Sequence, residues 1–279
     1  MKIQVCVLLI SMMLLSSCAT TKFYQVYEAS SVDNIVLENN GMVYEDENCL
    51  ITYNLWGEGG NIGFRIYNKT DKLLLLDLSN SYFILNGKAN DYFRNRSFSS
   101  SGTMQTSASS SRSASTAISG INYLNFFQTN SLSAQNTLGS ASSRTNAINY
   151  QEQLFIRIPP GTYKQITEFS ILNSLYRDCN LLLHPRRRDV QHITFSENNT
   201  PFTFSNRLTY FFEDQDDIFE IEHAFYVSGI RNLPAGVMIE RRPEEFCGQT
   251  STINSDYYTE IAPNRFFIQY NRRNTNLKH

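Results

Sequence analysis

The chain has 279 residues, 41% hydrophobic and 13% aromatic, with 24 Lys and Arg against 26 Asp and Glu. Such a composition supports a buried core and excludes a chain that is disordered throughout. A formal charge of −2 gives no sign of the basic footprint of a nucleic-acid-binding protein, so nucleic acid is not an expected partner.

The first element is a leader. Lys2 gives a positive n-region, Val5 to Leu15 is apolar except for Ser11, and small residues follow before Cys18. The run is too short to span a hydrocarbon core of roughly 30 Å comfortably, and its flanks are those of a signal peptide. Leu15-Ser16-Ser17-Cys18 resembles a bacterial lipobox. That resemblance implies cleavage between Ser17 and Cys18, and acylation of Cys18 with palmitate-type chains that hold the mature protein at a membrane. Its further implication is the bacterial envelope, at the periplasmic face of the outer membrane, with the cell surface as the alternative. Several acyl chains make a lasting anchor, since each buried methylene contributes roughly 0.8 kcal/mol. No later segment has the continuous apolar length of a membrane span.

Residues 18–31 read as a tether, and residues 32–175 as a mainly β module. Ile35 to Glu38 and Cys49 to Trp56 are β-branched and aromatic, and Gly57-Glu58-Gly59-Gly60-Asn61 is a glycine turn. Ile62 to Tyr67 returns as a strand, Leu73 to Leu78 and Tyr82 to Leu85 follow, and Asn86-Gly87 is a tight-turn pair. Residues 97–146 contain 22 Ser or Thr and read as a long, mostly flexible insertion carrying one apolar island, Ile121 to Phe127. Leu154-Phe155-Ile156-Arg157-Ile158 resumes the alternation, and Pro159-Pro160-Gly161 turns the chain into Tyr163 to Ile171. The expected fold is an antiparallel immunoglobulin-like β-sandwich. Residues 176–279 repeat the strand style and predict a second, mostly β domain or an extension of the sandwich. Ser174 to Leu183 is the one short helix expected outside the insertion.

Gly63-Phe64-Arg65-Ile66-Tyr67-Asn68-Lys69-Thr70-Asp71, then Asp77 to Gly87, and later Ile158-Pro159-Pro160-Gly161 are similar to envelope lipoproteins of the Bacteroidota that carry an Ig-like module. The resemblance covers residues 45–170. It implies a fold and an address, and brings no catalytic residue.

The search for chemistry gives few candidates. Gly57 to Gly63 lacks both the dinucleotide fingerprint and a following Gly-Lys-Ser/Thr, and no nucleophile elbow or His-Glu-x-x-His occurs. His184, His192 and His223 lack paired metal-ligand spacing, so no metal or cofactor is expected. Cys49, Cys179 and Cys247 allow at most one bridge besides Cys18, with Cys179–Cys247 the favoured pair and Cys49 buried. Arg186-Arg187-Arg188 reads as solvated loop charge, or as a contact for anionic lipid or glycan. The leading expectation is a non-enzymatic binding, adhesion or assembly module with an envelope protein or glycan as partner. The alternative is a glycan- or peptide-active hydrolase using Glu220, Glu222 and the cluster Asp214, Asp216 and Asp217.

Overall fold

The computed structural model describes residues 21–103, 107–108, 136–137, 145–213 and 217–272. Ser17, Cys18 and the island Ile121 to Phe127 lie outside the described residues. In chain order the strands begin with β1 (Lys22–Ser31), β2 (Val36–Glu38), β3 (Gly41–Glu45), β4 (Cys49–Tyr53), β5 (Phe64–Asn68), β6 (Leu74–Leu85) and β7 (Lys88–Asp91). Next come β8 (Ser97–Thr103), β9 (Ser107–Ala108), β10 (Asn136–Thr137), β11 (Thr145–Gln151), β12 (Phe155–Ile158) and β13 (Tyr163–Ile166). The last are β14 (His192–Thr194), β15 (Thr203–Phe212), β16 (Ile218–Pro234), β17 (Ile239–Phe246), β18 (Gln249–Tyr258) and β19 (Arg265–Asn271).

The protein is mainly β and its sheets are antiparallel. A large sheet runs β12-β6-β15-β16-β1-β19, with β7 beside β6 and β14 beside β16. A small sheet runs β13-β5-β4-β3-β2. Their inner faces share one core. Ile51, Tyr53, Phe64 and Ile66 of the small sheet pack in it with Leu76, Leu208, Phe225 and Phe266 of the large one. Aromatic pairs fix the fit, with Tyr27 stacked on Phe266 at 4.8 Å and Tyr53 edge-on to Phe225 at 5.3 Å.

Several sequence expectations change here. Residues 22–31 are not a tether: β1 lies between β16 and β19, and Phe23, Tyr24, Val26 and Tyr27 are buried. These aromatic and β-branched side chains bury both faces of the strand, which a solvated linker would leave wet. Of the two readings of residues 176–279, the extension of the sandwich is the one the topology matches. β15, β16 and β19 complete the sheet that β1, β6 and β12 begin, so the sandwich does not close within residues 32–175. Ser174 to Leu183 forms turns rather than a helix. Its backbone is held by side chains of β1 and β16, with Gln25 Nε2 donating to the Tyr176 carbonyl (2.9 Å) and Asn232 Nδ2 to that of Leu182 (2.9 Å).

The insertion is ordered at its base. β8 pairs with β11 from Ser97↔Gln151 to Thr103↔Thr145. Just outside that ladder, Glu152 accepts the backbone N–H groups of Arg94 (2.9 Å) and Arg96 (3.0 Å). The Arg96 guanidinium bridges Glu152 and Glu168, both buried.

Glycine placement is decided by close approach as much as by turning. Gly59 and Gly60 adopt φ of +76° and +75° in a loop that adds to the edge of β19, with Gly59 N donating to the Phe267 carbonyl at 2.7 Å. A Cβ on Gly60 would meet the Phe266 ring at 2.8 Å. The Asn86-Gly87 pair turns β6 into β7 with both φ positive, as its sequence predicts.

Candidate functional site

The strands of the small sheet alternate. Cys49, Ile51 and Tyr53 of β4 point inward, and Leu50 and Thr52 point out; on β5, Phe64 and Ile66 point in and Arg65 points out. Val43, Glu45 and Gln165 join that outer face from β3 and β13. The result is an open groove of about 730 Å³, a size within the usual range for ligand sites.

Its lining is mostly polar. Glu38 of β2, Asn40, Thr52 of β4, Asn54, Trp56, Arg65 of β5 and Gln165 of β13 all line it. Trp56, the chain's single tryptophan, is held from behind by Phe267 (5.2 Å) and Tyr258 (5.6 Å). The Arg65 guanidinium lies over the Tyr163 ring at 4.9 Å. Such stacking fixes the plane of the fork and leaves its edge to donate hydrogen bonds. Two glycines set the floor. A Cβ on Gly41 would meet Thr52 at 2.5 Å, and one on Gly63 would meet the Ile166 carbonyl at 2.5 Å. Chemically, the groove offers amide, hydroxyl, guanidinium and carboxylate groups beside one indole. That combination suits a ligand rich in hydroxyls.

Beneath the groove, Tyr53 and His223 join the two sheets through a hydrogen bond of 2.7 Å between the Tyr53 hydroxyl and His223 Nδ1. Burial pushes the His223 pKa down to about 4, against a smaller opposing pull from Asp33 and Asp46. His223 Nε2 is buried without a hydrogen-bond partner among the described residues. The ring is therefore a neutral core group, and protonating it would bury a charge with no close counter-ion at Nε2.

The other sequence candidates scatter. Glu220 and Glu222 lie on β16 and do not line the groove. Glu222 is engaged by Arg207 (2.7 Å) and Ser205 (3.0 Å), and the Arg207 hydrogen bond lowers its pKa. Asp214 and Asp216 lie outside the described residues, and Asp217 is exposed. Cys179 and Cys247 are exposed free thiols, not the expected bridge; Cys247 sits at the tip of the β17–β18 hairpin. Cys49 is buried, and that burial pushes its thiol up to about 12, so it is no nucleophile. His184 packs edge-on against Phe23 at 4.9 Å, and His192 opens β14. Among the described residues no group of three metal-ligating side chains converges, and no helix is long and apolar enough to cross a membrane.

The groove residues were missed in the sequence. Gln165 lies far along the chain from Trp56 and Arg65, and the three carry no motif. The one available signal was outward alternation of Thr52 and Arg65 on strands already recognised. No family model, curated protein or solved structure matches this chain.

Proposed function

We propose that the protein is a lipid-anchored binding module of the bacterial envelope, held through Cys18, that takes a glycan segment in the groove of its small sheet. The observation that carries this reading is the groove itself, an outer sheet face that the other described residues leave open and that hydrogen-bonding side chains line together with Trp56. Sugars offer an apolar ring face for the indole and hydroxyl pairs for planar amides and guanidinium. The Ser17-Cys18 ending of the leader supports the address.

A saccharide array probed with the full chain tests the ligand class. Arg65→Ala and Gln165→Ala are expected to weaken binding to the selected saccharide, the former about tenfold or more, as for a lost charged hydrogen bond. Unchanged affinity in both variants would remove the groove from consideration. For the anchor, metabolic labelling with palmitate is expected to mark the wild-type chain and not Cys18→Ser.

A further inference from the structure

The start of β1 fixes which end of the sandwich lies nearest to Cys18. Lys22 opens the strand, so the Cα atoms of Cys18 and Lys22 lie within about 14 Å of each other however the chain runs. At that end Lys22 pairs with Asn271, and Phe23 pairs with Pro234 and Tyr270.

The loop with the arginine triplet closes over the same end. His184 packs on Phe23, and the Tyr270 hydroxyl donates to the Leu183 carbonyl. After the triplet, Val190 joins a second apolar cluster of Tyr24, Leu233 and Met238. Arg186, Arg187 and Arg188 are thus strung between two contacts with the first residues of β1, and all three are exposed. Arg272, next to the Asn271 partner of Lys22, is exposed as well and acts on His184. Lys22 and four arginines share this end; against them, Asp189 lies 3.7 Å from Arg188, Asp178 of the same loop accepts from the Tyr176 hydroxyl, and Glu58 and Asp256 act on Tyr24. Leu182, 52% exposed, adds an apolar side chain. On a chain of net charge −2 this is a marked asymmetry.

We infer that this basic end is a docking face for an anionic phospholipid surface, seating the sandwich directly on the bilayer to which Cys18 is tethered. The inference rests on the Cys18 anchor proposed above. Cations near a membrane surface each add modestly to attraction for anionic headgroups, and the effect fades within a Debye length. A tether of three residues holds this end within about 14 Å of the anchoring residue, less than two Debye lengths at physiological salt. The glycan groove, on the outer face of the small sheet, then belongs to a domain held in a fixed orientation instead of swinging on a linker.

The full-length, exported chain reconstituted in vesicles tests this. Trypsin cleavage after Arg186, Arg187 and Arg188 is followed in phosphatidylcholine vesicles and in vesicles that also contain phosphatidylglycerol. Cleavage after Lys88, at the turn between β6 and β7 and three strands away from β1 in the large sheet, serves as reference. The expected result is triplet cleavage slowed about tenfold by the anionic lipid, restored by high salt, with Lys88 unaffected. Equal triplet cleavage in both vesicles overturns the inference. Mass spectrometry of the amino-terminal peptide reports acylation of Cys18 independently. An unacylated chain that is still protected by anionic vesicles sinks the anchor but supports the charge contact, and one cut equally sinks both.

Discussion

The two sheets share a core but treat their outer faces in opposite ways. The large sheet around β1, β16 and β19 is buried on its second side too, where Tyr24, Val26, Leu233, Met238 and Phe267 gather under Trp56 and Val190. Among the described residues nothing covers the outer face of the small sheet, where Thr52, Arg65 and Gln165 line the groove. Antiparallel sheets commonly keep one wet face, so the small sheet is the ordinary case and the covered sheet the exception. The difference suggests a division of labour to test: the doubly covered large sheet as scaffold, and the outward residues of the small sheet as positions free to vary.

The largest expected effect sharpens that contrast. Phe266 is fully buried and stacked on Tyr27, so Phe266→Ala is expected to cost about 3–5 kcal/mol in chemical denaturation. Thr52→Ala, on the groove floor, is expected to change stability by less than about 0.5 kcal/mol. Comparable losses in the two variants would break the division between scaffold and site.

His223 tests the seam between the sheets. Its folded pKa lies near 4, below its unfolded value, so the folded state resists protonation. The unfolded chain binds the extra proton first, and stability is full above the unfolded pKa and falls as pH drops from about 6.5 to about 4. The loss amounts to about 3 kcal/mol across that window. His223→Gln is expected to keep a partner for Tyr53 and flatten this part of the stability curve, measured by urea unfolding at stepped pH. An unchanged slope would place the titration elsewhere.

The base of the insertion comes next. Burial alone would raise the Glu152 pKa, but hydrogen bonds from the Arg96 side chain and two backbone N–H groups lower it overall. Its contribution is therefore present above the unfolded carboxylate range and lost as pH falls through the depressed folded value. Glu152→Gln is expected to cost about 2 kcal/mol at neutral pH and little in acid. A loss independent of pH would point to packing rather than charge.

How much of this was legible depends on what each strand buries. β4 and β5 alternate because one face is wet, so their register and inward residues could be read directly from Cys49 to Tyr67. Phe23-Tyr24-Gln25-Val26-Tyr27 does not alternate, because β1 is covered on both sides, and beside a leader it passes for a tether. Its pairing with β16 and β19 joins residues more than 190 positions apart, which no local pattern announces. The groove suffered from the same distance, since Trp56, Arg65 and Gln165 meet only after β13 pairs with β5. The arginine triplet was visible as charge, but its neighbourhood with Lys22 depends on His184 and Val190 finding opposite sides of β1.

The smallest effect concerns an element that belongs to neither face. β17 and β18 form a hairpin whose residues are nearly all exposed beyond Ile239 and Tyr258, including Phe246 at 81%. An isolated two-stranded hairpin is marginal in water, so this arm is expected to open locally without unfolding the sandwich. Its two-residue turn places Cys247 at φ +49° and Gly248 at φ +74°, the left-handed pair for which Asn-Gly is preferred. Cys247→Asn relieves the backbone at the first position and is expected to stabilise the arm by a few tenths of a kcal/mol. Amide hydrogen exchange should then slow in residues 240–257 by about twofold, while β1 and the global unfolding midpoint stay unchanged. Equal slowing in β1 would mean that the arm and the covered sheet unfold as one unit, and the second apolar cluster around Tyr258 and Trp56 would be the joint that couples them.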